Sequence, residues 1–87
     1  MHRTTSRFWR CFEELPLTIQ KTARKNFALL KTNPLHPSLH FKKVGKFWSV
    51  RTGIVHRALA VEDEKGFIWV WIGSHNKYDQ IISGSFS

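Results

Sequence analysis

One cysteine, three prolines, one tyrosine and six carboxylate side chains are what this 87-residue chain has least of, and each scarcity excludes something. With Cys11 alone, no internal disulfide can form and no zinc site can be built on paired cysteines. Its setting, Phe8-Trp9-Arg10-Cys11-Phe12, reads as that of a small buried apolar residue rather than a nucleophile. No window approaches about 18 consecutive apolar residues, which excludes a membrane-spanning helix. Met1 to Arg10 lacks the apolar run of a secretory signal, so a cytoplasmic chain is expected. Repeats and low-complexity runs are absent too. A chain of this length reads as a single domain over residues 1–87, too short to divide into two cores.

What is present is bulk and positive charge. Four Trp and seven Phe supply a dense aromatic core, which a domain this small needs because it buries only part of its surface. Fourteen Lys and Arg against six acids give a formal net charge of +8, spread along the chain. Such a field favours a polyanionic partner: nucleic acid, an anionic surface or an acidic protein. Asp63 and Glu64 fall in a turn and read as solubilising charges. His36 and His40 have the helical spacing of a metal pair, but Pro37 lies between them, so no metal site is read there.

Punctuation at Pro16, Asn33 to Pro37, Thr52-Gly53 and Asp63 to Gly66 divides the chain. Phe8, Phe12 and Leu15 recur at helical spacing after Thr5-Ser6, which can cap, and Pro16 suits the first turn of a second helix. From Pro16 to about Thr32, Ile19, Ala23, Phe27 and Leu30 share one arc, with Leu17 and Leu29 outside it. Beyond Asn33-Pro34 the period changes. Leu39-His40-Phe41, Phe47 to Arg51, Val55 to Glu62 and Phe67 to Ile72 read as four strands joined by short hairpin turns. Phe67 to Ile72 is apolar on both faces, as expected near a sheet centre. The expected fold is α+β, an N-terminal helix hairpin packed on a four-stranded, mainly antiparallel sheet.

Phe47-Trp48-Ser49-Val50-Arg51, His56-Arg57-Ala58-Leu59-Ala60-Val61 and Ile68-Trp69-Val70-Trp71-Ile72-Gly73-Ser74-His75-Asn76-Lys77-Tyr78-Asp79 together resemble the C-terminal half of a RelE/ParE superfamily toxin. In that family a strand ending in arginine precedes one opening with a Tyr/His-Arg pair, then an apolar strand running into Gly-x-His and a nearby tyrosine. The resemblance spans about residues 5–82 and is most specific over 47–79. Two departures stand out: a first strand that is short or missing, and His56 where relatives commonly carry tyrosine.

The resemblance implies the toxin of a type II toxin-antitoxin system, an endoribonuclease that cuts mRNA at the ribosomal A site, beside 16S rRNA, and so inhibits translation. A ribose 2′-hydroxyl attacks the adjacent phosphodiester, with neither metal nor cofactor. That reaction needs a group to take the 2′-proton, cations to stabilise the phosphorane and a group to protonate the departing 5′-oxygen. By family position Arg51 and Arg57 are the phosphate-binding candidates, since the guanidinium fork grips two oxygens and keeps its charge. His75 suits the acid/base post, and Tyr78 reaches the same pocket by stacking or by its hydroxyl. Lys42, Lys43 and Lys46 crowd the first hairpin and are read, with His56, as RNA-binding residues; a solvated turn is the competing account. Trp48, Trp69 and Trp71 read as core rather than as base-stacking surfaces. The implied partners are a cognate antitoxin, mRNA and the ribosome. Two alternatives stay open: a ParE-type DNA gyrase inhibitor that cuts nothing, and a degenerate nucleic-acid-binding member.

Overall fold

Thr5 starts the first helix in the way its composition allows: its backbone is extended and its Oγ1 accepts from the Phe8 amide at 3.1 Å. In the computed structural model, which describes residues 2–85, the elements follow as β1 (His2–Thr4), α1 (Ser6–Glu13), α2 (Leu17–Thr32), a single 3-10 turn (Pro37–Leu39), β2 (Lys42–Val44), β3 (Phe47–Arg51), β4 (His56–Asp63), β5 (Gly66–Ser74) and α3 (His75–Ser85). No helix among the described residues is long and apolar enough to cross a membrane.

The α+β architecture is the expected one, with differences at its ends. The sheet has five strands in the order β1-β5-β4-β3-β2. Four are antiparallel neighbours, and the fifth, β1, is a three-residue strand running parallel to β5 with His2 opposite Phe67. The strand expected over Leu39 to Phe41 is displaced. Pro37, which cannot donate to a ladder, opens a 3-10 turn, Leu39 is fully buried as its anchor, and His40 turns into the left-handed region at φ 47° before pairing begins at Lys42. An unforeseen helix, α3, follows β5.

Alternation divides the sheet into two faces. Trp48, Val50, Ala58, Ala60 and Trp69 face α1 and α2 and pack with Phe8, Phe12, Ala23 and Leu30. Leu59 and Trp71 take the other face with Phe47 and receive Tyr78, Ile81 and Ile82 from α3. A β-bulge makes both possible. Leu59 pairs with Trp71 but Ala60 pairs with Trp69, leaving Val70 as the extra residue. The bulge shifts the alternation, so Trp69 and Ile72 both enter the helix-side core while Trp71 turns away.

His2 fastens the edge strand. Its Nδ1 accepts from Trp69 Nε1 at 3.1 Å, and its ring stacks on Phe67 with centroids 5.4 Å apart. Burial, with the charge of Lys31 adding to it, holds the His2 pKa below the ordinary histidine value, and burial does the same at His56. Both imidazoles therefore bind a proton less readily in the folded chain than in the unfolded one. Their stabilisation is complete above about pH 6.5 and is lost as the pH falls below it. Thermal melts from about pH 7.5 to about pH 5.5 are expected to show falling stability. His2→Gln/His56→Gln should flatten that slope, and an unchanged slope would exclude these histidines as its source.

Candidate functional site

The β3–β4 register sets Arg51 directly opposite Arg57, and the β4–β5 register sets Arg57 opposite Gly73. By alternation these three positions share the face that carries Leu59 and Trp71. Directly opposed like charges on adjacent strands cost stability, on the order of 0.2–1 kcal/mol. Among the described residues neither arginine offsets this with a carboxylate. Arg51 donates from Nε to the Gly53 carbonyl at 3.1 Å and meets His40 Nε2 through Nη1 at 3.3 Å. Arg57 donates from Nη1 to its neighbour's carbonyl, that of His56, at 2.9 Å. The Asn26 side-chain amide fixes the end of β3 by donating to the Arg51 carbonyl at 3.1 Å. Two cations lie side by side at one end of the sheet, held by carbonyls and an imidazole.

Gly73 leaves the slot beside Arg57 empty of side chain, and the ring of Trp71 fills the space above it. A Cβ at Gly73 would lie 2.5 Å from Trp71 Cζ2. One residue further on, the chain leaves the sheet and enters α3. The Lys77 amide donates to Ser74 Oγ at 3.3 Å, and the His75 amide donates to the Val55 carbonyl at 2.7 Å. His75 is thus fixed by its backbone just past the two arginines, with its ring open to solvent. Its Nδ1 lies 3.6 Å from Asp79 Oδ2 one helical turn on, and its ring stacks on Tyr78 with centroids 6.0 Å apart. Asp79 thus stands at ion-pair range of Nδ1, beyond hydrogen-bond length.

Not every candidate is open on this face. Tyr78 lies on it but is 9% exposed and packs on Leu59 and Trp71, so it stands beneath His75 as part of the core. His56, adjacent to Arg57, turns to the opposite face, where its buried Nδ1 has no hydrogen-bond partner. Lys42 pairs with Ser49 and shares the arginine face, whereas Lys43 pairs with Trp48 and takes the other. Lys46, in the turn, stands 5.4 Å over the Phe47 ring on the arginine side. Trp69 and Trp71 are buried and Trp48 partly so.

Asp79 and Asn26 do not stand out in the sequence, and His40 does so only as a rejected metal partner for His36. Asp79 has a signal, the four-residue spacing from His75, which counts only once that segment is helical. His40 and Asn26 reach the arginines through tertiary packing, and no spacing announces them. Among the described residues only two ion pairs form, Arg3 with Asp63 and His75 with Asp79, so most of the positive charge has no acidic partner.

No family model matches this sequence, and no curated protein matches it either. Solved structures do. A chain from the RelB-RelE antitoxin-toxin complex of Methanococcus jannaschii superposes with a TM-score of 0.70 at 14% identity, covering 91% of this chain and 96% of that one. A chain from the RelBE2 toxin-antitoxin complex of Mycobacterium tuberculosis gives 0.63 at 20% identity, covering 85% and 95%. At these identities the likeness establishes the fold: this chain has the α+β architecture of a chain found in RelB-RelE complexes.

Proposed function

We propose that this chain is the toxin of a toxin-antitoxin pair and an endoribonuclease that cuts mRNA in the ribosomal A site without a metal. The observation that carries this reading is the pair of opposed arginines, Arg51 and Arg57, kept free of carboxylates beside an exposed histidine. Opposed cations persist at a cost when they serve an anion, and a phosphodiester supplies two oxygens for two forks. In this reading Arg51 and Arg57 neutralise the phosphorane. His75, oriented by Asp79, protonates the departing 5′-oxygen, and Tyr78 supports the imidazole plane from below. Lys42 and Lys46 extend the basic surface toward the flanking phosphates of the message or of 16S rRNA, while Lys43 and His56 lie on the opposite face of the sheet. The partner in the cytoplasm is an antitoxin, whose acidic segment would cover the same cations.

A binding-only poison of DNA gyrase is the second reading, and it has no use for an imidazole aligned by a carboxylate. Induction of the chain in a bacterial host without antitoxin, with mapping of new 5′ ends on cellular messages, separates the two. Cuts inside translated frames that vanish in His75→Ala are the expected result. Growth arrest with intact messages and damaged DNA would move the chain to the gyrase reading.

A further inference from the structure

With Tyr78 buried and His75 assigned to the leaving group, the nuclease reading lacks a group to take the 2′-proton. A base for this step must be solvent-accessible and within one hydrogen bond of the groups that hold the phosphate. One side chain next to Arg51 meets both conditions.

His40 is exposed, and its Nε2 lies 3.3 Å from Nη1 of Arg51. Arginine has five donors and no acceptor, so the imidazole nitrogen facing it carries a lone pair and the ring's proton sits on Nδ1. His40 therefore occupies on Arg51 the place that a phosphate oxygen would take. When a phosphodiester engages that guanidinium, the imidazole is displaced to the phosphate's edge with its basic nitrogen exposed. The backbone is arranged for this: the 3-10 turn over Pro37–Leu39, anchored by fully buried Leu39, ends with His40 at φ 47° and ψ 43°. It is the one non-glycine residue at positive φ among the described residues. Such conformations are uncommon outside glycine and recur at functional sites.

We infer that His40 is the general base of the cleavage step, an assignment that rests on the nuclease reading above. His40 Nε2 takes the proton of the 2′-hydroxyl, and the 2′-oxygen forms a bond to phosphorus while the bond from phosphorus to the 5′-oxygen breaks. His75 delivers a proton to that 5′-oxygen. The products are a 2′,3′-cyclic phosphate and a 5′-hydroxyl, and solvent restores both imidazoles to their starting protonation.

The test uses the full-length protein, with ribosomes supplied, on an RNA carrying at the cut site either the ordinary 5′-oxygen or a bridging 5′-sulfur, which leaves without a proton. His40→Asn keeps a residue that tolerates left-handed backbone, and His40→Gly opens the site to imidazole added in solution. Both variants are expected to lower kcat by about 10²–10⁴-fold with KM little changed, and to lose the acid limb of the pH-rate profile. The sulfur substrate should rescue His75→Ala but not His40→Asn, and free imidazole should restore part of the His40→Gly rate. Rescue of His40→Asn by sulfur, or a rate within about tenfold of wild type with the acid limb intact, overturns the assignment while sparing the nuclease reading. No cleavage by the wild-type chain overturns both.

Discussion

Arg57→Ala is expected to lower RNA cleavage by about 10²–10³-fold while leaving the melting temperature unchanged or slightly raised. The two halves of that result have separate origins. Cleavage falls because one of two preorganised cations is gone from where phosphorane charge develops. Stability holds because Arg57 makes no ion pair among the described residues; its guanidinium donates to the adjacent backbone carbonyl, and it faces Arg51 across the ladder. Removing one of two opposed cations relieves repulsion. Arg57→Lys should recover little activity, since an ammonium gives a point charge where a planar fork grips two oxygens. The salt dependence of RNA binding should also become shallower, by about one unit of slope for each phosphate no longer neutralised. Single-turnover cleavage alongside thermal melts decides the matter. A variant that loses stability in proportion to activity would make Arg57 a structural residue.

Gly73→Ala should be the most damaging small substitution near the site. The added Cβ would lie 2.5 Å from Trp71 Cζ2 and 3.0 Å from Cη2, closer than real Cβ atoms come. Trp71 is a buried indole packed with Leu59 and Tyr78, so it cannot yield as the tip of a flexible side chain would. Overpacking of this kind costs about 1–3 kcal/mol. In a domain this small each kcal/mol lowers Tm by about 4–8 °C. Because Tyr78 leans on Trp71 and stacks on His75, the strain should also reach the proposed proton donor. Circular-dichroism melts of Gly73→Ala and of Gly73→Ala/Trp71→Leu test this. The smaller leucine should return part of the loss, and two additive losses would show that the clash is absent.

Much of the fold was legible because two periods are. Phe8, Phe12, Ala23, Phe27 and Leu30 repeat at helical spacing and do pack on one face, and Cys11 is half-buried in core packing as its neighbours suggested. Apolar residues on both faces of Phe67 to Ile72 correctly placed that segment inside the sheet, between β1 and β4. Leu39 to Phe41 misled because its alternation of apolar and polar residues mimics a strand, while Pro37 had already removed a ladder donor. The helix α3 was missed because its start rests on one local contact, Ser74 Oγ accepting from the Lys77 amide, which no periodicity announces.

By itself the sequence determined the charge that invites a polyanion, the helix hairpin, the meander of strands, and the types of residue that the proposed phosphodiester site uses. Those follow from composition and from short-range periodicity. Which of them meet was decided only by tertiary structure. The bulge at Val70 sends Trp71 to the arginine face, register sets Arg51 against Arg57, and packing buries Tyr78 while leaving His75 open. Residues 26, 40, 51, 57 and 75 come together because strand register and chain reversal link positions that no local period relates.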